Sequence, residues 1–502
     1  MIKSEIKSFF YLAFRFFTLY LLSLLVETDF IDTIFDLPAQ KAGRFGVISS
    51  QQRLQYKGRS ECECECECNR EVNNAGGNNV EREQESKRTK ETITLKIKQI
   101  MIVLVLNCGS SSIKYQVIDI NDESNALLAK GLVDRIGLPE GSLTHKPVGK
   151  NNFELKQPIP DHTTGISLVL EALTNAEHGV IADLKEVKAV GHRVAHGGEF
   201  FQSSALVDEQ AKENIRSLFE IAPLHNPANL EGILSIEKVL PGVPQVAVFD
   251  TSFHQSIPAI NYLYALPMEY YDKYRVRKYG FHGTSHKYVA KVGAEMVGLD
   301  INNSKIITCH IGNGGSVTAV LNGKSFDTSM GFSPLDGLVM GTRCGNVDAS
   351  AVTYIGEREG MSYAELNSMM NKKSGVLGLT GLSSDMRDID NAYNAGNEKA
   401  IVARDMYYNR VKKFVGEYAA EMGGVDLVIF TGGVGENSAD LRRYVCENMG
   451  FMGIEIDESI NLKTRGTNTL LSTPESKVKV AVIATNEELV IATDTYELTK
   501  NL

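Results

Sequence analysis

Two stretches of this chain, roughly 200 residues apart, repeat one three-part pattern, and that repeat limits the fold more than any other feature. The first opens with the apolar run Ile102-Val103-Leu104-Val105-Leu106, halts at Asn107-Cys108-Gly109-Ser110-Ser111-Ser112 and resumes as an apolar stretch over 113–120. The second opens with Ile306-Ile307-Thr308-Cys309-His310-Ile311, halts at Gly312-Asn313-Gly314-Gly315-Ser316 and resumes over 317–321. Short apolar runs bounded by glycine and serine read as buried strands, and Asn322-Gly323 after the second is a strong hairpin signal. The pattern therefore predicts two duplicated units. Val411, Phe414, Val415, Tyr418 and Met422 follow helical spacing, which predicts a helix over 405–422 stopped by Gly423-Gly424. A third strand over 425–430 runs into Thr431-Gly432-Gly433-Val434-Gly435-Glu436-Asn437. Strands and helices mixed in this way, with glycine turns at strand ends, imply an α/β architecture.

Composition narrows the class. Of 502 residues, 43% are hydrophobic and 23% charged, an ordinary globular balance that excludes a disordered or disulfide-dense body. A formal charge of -10 argues against a nucleic-acid partner, which would require a basic face. Residues 1–100 stand apart. An apolar run over 9–26, with Lys3 and Lys7 ahead of it, has the outline of a signal peptide or membrane anchor, but Arg15 interrupts it and Glu27-Thr28-Asp29-Phe30 offers no cleavage site. The repeat Glu61-Cys62-Glu63-Cys64-Glu65-Cys66-Glu67-Cys68 would line thiols along one face of a strand. A metal site is one reading of it; low-complexity sequence without a function is the one we favour. The expectation is a disordered or non-native extension and no membrane association. Cys108, Cys309, Cys344 and Cys446 are scattered without a C-x-x-C pair, so reduced thiols and a cytoplasmic location are expected.

The three glycine turns are where chemistry is expected. Turns of this type present backbone N–H groups with no side chain in the way, so phosphate oxygens can approach closely. None matches G-x-x-x-x-G-K-[ST], which disfavours a P-loop, and no complete G-x-G-x-x-G follows a strand.

At the level of motifs the chain resembles the acetate kinase family. Asn107 to Tyr115 is similar to its opening signature, and Gly191-His192-Arg193-Val194-Ala195-His196-Gly197-Gly198 to its second. Further similarity lies in Leu224-His225-Asn226-Pro227, Phe249-Asp250-Thr251-Ser252-Phe253-His254 and Tyr279-Gly280-Phe281-His282-Gly283-Thr284-Ser285-His286. It continues through Gly341-Thr342-Arg343, Ser384-Asp385-Met386-Arg387 and Asn486-Glu487-Glu488, in the family's order over 101–502. Family members begin at a methionine equivalent to Met101, and 1–100 have no counterpart.

The resemblance implies an actin-like ATPase fold: two duplicated ribonuclease-H-like domains, 101–250 joined by 488–502 and 251–487, with a cleft between them. It implies reversible in-line transfer of the ATP γ-phosphoryl to acetate, giving acetyl phosphate and ADP, with Mg²⁺ or Mn²⁺ and a homodimer. Propionate or butyrate as the preferred acid is an alternative, and a membrane-tethered actin-like nucleotide-binding module is a remote one. By the family pattern Arg193 and Arg343 hold carboxylate and phosphoryl, and His282 stabilises the transition state. Asp250 is the family's acid/base residue, although acetate is already ionised at pH 7 and orienting an arginine or the hydrated metal suits Asp250 better. Nucleotide contacts fall on Lys114, on His310, Ile311, Gly312, Asn313 and Gly314, on Asp385, Met386 and Arg387, and on Gly433, Val434, Gly435, Glu436 and Asn437. Asn107 and Glu487 match the metal site. The acyl pocket falls on Ala195, Leu224, Phe281 and Pro334, with His225 in support. Simpler readings stand beside these: surface salt bridges for the arginines, zinc ligation by His282 and His286 at i, i+4, and a helix cap for Asp250.

Two positions depart from the family pattern. Asn346 stands where aspartate is frequent; the lost charge could loosen a contact of Arg343, although an amide still accepts a hydrogen bond. Ala195 replaces a commonly larger valine and leaves room for one more substrate carbon.

Overall fold

The computed structural model describes residues 101–121 and 124–502; the apolar run over 9–26 and the Glu-Cys repeat lie outside the described residues. Two sheets organise the chain. The first contains β1 (Met101–Cys108), β2 (Ser112–Ile120), β3 (Asn125–Asp134), β4 (Gly141–Pro147), β5 (Phe153–Gln157), β6 (Val187–Val194), β7 (Ala205–Leu206) and β8 (Gln245–Phe249), in the order β5-β4-β3-β2-β1-β6-β8-β7. The second contains β9 (Lys305–Ile311), β10 (Gly315–Leu321), β11 (Lys324–Thr328), β12 (Leu427–Thr431), β13 (Thr469–Leu470) and β14 (Lys479–Val482), in the order β11-β10-β9-β12-β14-β13.

The duplication holds strand by strand. β1 runs antiparallel to β2 and parallel to β6, and β9 bears the same relation to β10 and β12. The series β3-β2-β1-β6-β8 and β11-β10-β9-β12-β14 are thus the same five-stranded plan built twice, as a duplicated ribonuclease-H-like fold requires. Asn322 and Gly323 make the β10–β11 turn with φ of 51° and 75°, the left-handed pair a two-residue hairpin needs.

Period-two alternation explains why the central strands read as unbroken apolar runs. Leu104 and Leu106 face one core and Val103 and Val105 another, all fully buried. β12 repeats this, with Val428 and Phe430 on one face and Leu427 and Ile429 on the other. The C-terminal helix Glu487–Thr499 closes one face of the first sheet through Ile491, Ala492 and Tyr496. It comes so near to β6 that a side chain at Gly191 would run into Thr495 and Ile491. The helix expected over 405–422 spans Glu398–Glu421. It begins earlier because Asn397 caps it, Oδ1 accepting from the Ala400 N–H at 3.0 Å, and because Ala400 and Ala403 are already core residues.

Candidate active site

Functional side chains collect at the C-terminal ends of the parallel strands, where an open α/β sheet offers its crevice. Asn107 and Arg193 are the penultimate residues of β1 and β6, and Asp250 follows directly on β8. These neighbouring strands bring them into contact. Arg193 donates from Nε to Asp250 Oδ1 at 3.0 Å and from Nη2 to Oδ2 at 2.6 Å, a two-point clamp. Its Nη1 donates to Asn107 Oδ1 at 3.3 Å. The Asp250 side chain is 5% exposed and that of Arg193 26%, so the carboxylate is spent on the arginine while the outer face of the guanidinium stays accessible. The same carboxylate, above all, raises the Arg193 pKa beyond its ordinary value. This excludes a helix cap for Asp250 and supports the orienting role over acid/base work.

Arg343 is arranged differently. Its Nη1 donates to the Pro334 carbonyl at 3.2 Å and contacts the Met340 sulfur at 3.6 Å, and among the described residues it has no carboxylate partner. Burial lowers its pKa from the usual arginine value, the signature of a cation short of counter-charge. Asn346 makes no hydrogen bond to Arg343 among the described residues. Its Oδ1 accepts from the Gly337 N–H at 2.6 Å, a bond an amide makes as well as a carboxylate.

His282 enters from the N-terminal end of the helix Gly283–Val297 with φ of 57°. Its ring stacks on His310 with centroids 4.3 Å apart. An added Cβ on Gly314 would lie 3.3 Å from Arg343 Nη1 and 4.0 Å from His282 Cε1, so both groups flank that backbone. Burial first, then the neighbouring His310 and His286 and the two arginines, pushes the His282 pKa far below the normal imidazole range. Burial likewise takes His310 down to about 4. His225 is also lowered, by burial and then by Arg193. His286 bonds the Thr308 hydroxyl through Nδ1 at 2.7 Å and the Ser316 hydroxyl through Nε2 at 2.7 Å, so neither nitrogen is offered to zinc.

Beyond these groups a cleft of about 870 Å³ is lined by Gly312, Asn313, Gly341, Asp385, Met386, Arg387, Gly433, Val434 and Asn437, among others. Thus most of the residues expected to contact nucleotide share one wall-to-wall space. Two do not face it. The Ile311 side chain is fully buried in the core. Glu436 is turned into its own loop, Oε1 accepting from the N–H groups of Gly432 at 3.0 Å and Thr485 at 3.1 Å. Gly432, at φ 76°, lies so close to Ile311 that a side chain there would meet its backbone at 2.9 Å. Lys114 is exposed on β2, opposite Asn107. Of the acyl-pocket residues, Ala195 and Phe281 are buried, and Leu224 is 63% exposed.

Glu487 opens the C-terminal helix, and its pKa is pushed up to about 7 by burial, then by the negative charges of Asp250 and Glu488, against the pull of Arg193 and Lys114. A half-buried carboxyl crowded by other carboxylates, with an amide oxygen at Asn107 beside the same arginine, is a donor set that suits a hard divalent cation. Among the described residues no three His, Cys, Asp or Glu side chains are grouped to hold a metal by themselves. A Mg²⁺ ion that keeps waters and takes phosphate oxygens fits that sparse set.

Sequence reading did not single out Asn229, which ties the site together: its Nδ2 donates to the Cys108 carbonyl at 2.7 Å and its Oδ1 accepts from the Ala195 N–H at 3.0 Å. Tyr407 was also missed; it donates to the Gly312 carbonyl at 2.9 Å and anchors that glycine turn.

A twice-built sheet whose strand ends carry glycine turns and two arginines places the protein in the fold class of actin-like ATPases and sugar kinases. Within it, the chain belongs to the acetokinase family, which its sequence matches over residues 102–493. It is 51% identical over 403 residues to the acetate kinase of Caldanaerobacter subterraneus, covering 80% of this chain and all of that one. It is 54% identical over 400 residues to the acetate kinase of Heliobacterium modesticaldum, with the same coverage. Among solved structures, Porphyromonas gingivalis acetate kinase superimposes with a TM-score of 0.77 at 47% identity over 79% of this chain and 99% of that one. A propionate kinase from Francisella tularensis does so with a TM-score of 0.73 at 40% identity, over 79% and 99%.

Proposed function

We propose that this protein is an acetate kinase that passes the ATP γ-phosphoryl directly to the acetate carboxylate. The observation that carries the reading is Arg343: a partly buried guanidinium without a carboxylate partner among the described residues, facing His282 across the Gly314 backbone. A cation left so is a site for an anion.

The roles follow from charge. Acetate is ionised at pH 7 and needs no base; its carboxylate oxygen attacks the γ-phosphorus as the bond to the ADP oxygen breaks. Arg193, held by Asp250 and Asn107, presents the open face of its fork to the incoming carboxylate or phosphoryl oxygens. Arg343 neutralises charge on the transferring group, and neutral His282 donates a hydrogen bond to an equatorial oxygen. Such fixed donors act on charge spread over the phosphoryl oxygens without reorganising. The turns 312–314 and 433–435 border the cleft for the nucleotide. Asn107 and Glu487 would hold Mg²⁺, which when bound offsets charge on the nucleotide phosphates. Ala195, Phe281 and Pro334 wall the methyl group with Leu224, and His225 supports them.

Two lobes, 101–250 with 488–502 and 251–487, fit the packing of Ile491 and Tyr496 on the first sheet and would close over the substrates. A homodimer and a cytoplasmic location belong to the same reading; no helix among the described residues is long and apolar enough to cross a membrane. The small side chain of Ala195 favours some use of propionate. The test is an assay over a panel of short acids, with the acyl phosphate trapped by hydroxylamine. Hydroxamate from acetate supports the proposal; ATP hydrolysis without hydroxamate from any acid ends it.

A further inference from the structure

Behind His282 runs a closed chain of hydrogen bonds. His282 Nδ1 shares one with Ser316 Oγ at 2.9 Å, Ser316 Oγ shares another with His286 Nε2 at 2.7 Å, and His286 Nδ1 a third with Thr308 Oγ1 at 2.7 Å. Ser316, His286 and Thr308 are all fully buried, so water does not compete. Both imidazoles are neutral, since burial and nearby histidines hold their pKa values far below the usual range.

The Ser316 hydroxyl has one hydrogen and could accept from both rings, but it is fully buried with only these two partners among the described residues, so accepting twice would strand its hydrogen. It therefore donates to one ring and accepts from the other, and two arrangements satisfy every group. In one, Thr308 donates to His286 Nδ1, His286 Nε2–H donates to Ser316, and Ser316 donates to His282 Nδ1, which leaves the His282 hydrogen on Nε2. In the other every donor is reversed, and Nε2 of His282 carries a lone pair. The reversed chain gains only a 3.5 Å approach of the Thr308 hydroxyl to the Thr318 carbonyl, too long to count as a good bond. The outer side of His282 decides between them. Its Nε2 makes no hydrogen bond to the described residues, and Arg343 beside it across Gly314 marks the space as one for anionic oxygens. Such oxygens only accept, so a lone pair there would repel them.

We propose that Ser316, His286 and Thr308 are positioning residues that fix His282 as the Nε2–H tautomer, aimed as a donor at the transferring phosphoryl group. The aim at phosphoryl rests on the kinase reading above; the tautomer does not. Long-range ¹H–¹⁵N spectra of the full chain labelled at histidine test it, with the His282 signals identified by their loss in His282→Gln. The expected spectrum shows a protonated Nε2 and a bare Nδ1; a protonated Nδ1 overturns the proposal. In steady-state assays Ser316→Ala should lower kcat by about 10²-fold, as for a lost preorganised donor, with KM for ATP and acetate within about twofold. Ser316→Thr should recover most of that loss. Full turnover in Ser316→Ala also overturns the proposal, and if that variant fails to fold, the spectrum of the unmutated chain decides alone. Absence of acetate phosphorylation in the unmutated chain would remove the kinase reading while leaving the tautomer to be read.

Discussion

Replacing Asp250 by asparagine separates the orienting role from an acid/base role. The substitution keeps shape and one acceptor but removes the charge that clamps Arg193 at 2.6 Å. At that separation and an effective dielectric constant of about 20, the attraction is roughly 6 kcal/mol. Because a quarter of the Arg193 side chain meets solvent, screening reduces the usable part to about half, near 3 kcal/mol. If the clamp serves the transition state, that loss appears as a fall of about 10²-fold in kcat/KM for acetate. KM for ATP should move little, since the nucleotide turns are untouched. Steady-state rates at several pH values between 6 and 9 give the decisive readout. An orienting carboxylate predicts the same fold-loss throughout, whereas a proton-transferring one predicts a loss that vanishes as solvent base takes over. Rates within about threefold of the unmutated chain would refute the argument that Arg193 needs this partner.

Arg343→Ala should cost about 3–4 kcal/mol in turnover, with near-normal binding of ATP by calorimetry, because it removes a guanidinium that no carboxylate of the described residues holds. Lysine should rescue it poorly, lacking the fork. Acid should destabilise the fold through its buried histidines: burial holds His192, His196, His254 and His310 at about 4. In the unfolded chain they bind protons near 6.5, so stability present above that pH is lost as pH falls toward 4, by about 1.4 kcal/mol per pH unit for each group. Urea midpoints at pH 7.5, 6 and 5 check this, and equal midpoints would contradict it. Ala195→Val should lower the ratio of kcat/KM for propionate over acetate several-fold, given about 1–3 kcal/mol per methylene in such pockets; an unchanged ratio would take Ala195 out of the acyl wall.

How much of this was legible in the sequence depended on the range of the interaction. The strands at 102–106 and 306–311 were readable because each faces a hydrophobic core on both sides of its sheet, leaving nearly uninterrupted apolar runs. The glycine turns were readable because Gly432 and Gly323 need positive φ. Spacing alone could not pair Arg193 with Asp250 across 57 residues; only the family resemblance pointed to both. Motif reading assigned Glu436 to nucleotide and Asn346 to Arg343, but each spends its oxygen on backbone N–H groups within the loops, a choice that depends on turn geometry. The Ser316–His286–Thr308 chain had a faint signal, serine and threonine at alternate positions of strands facing a histidine helix, without any hint of the bonds themselves.

The central claim is that an acetate oxygen is the nucleophile at phosphorus, and the fate of that oxygen tests it. The full chain is supplied with ATP, Mg²⁺ and acetate carrying ¹⁸O at both positions, and the product is cleaved with hydroxylamine, which attacks the acyl carbon and releases phosphate with its bridging oxygen. Mass spectrometry of that phosphate should find one ¹⁸O per molecule released. Unlabelled phosphate would mean that water or another group took the phosphoryl, and the account of Arg193, Arg343 and His282 as a carboxylate-kinase site would fail.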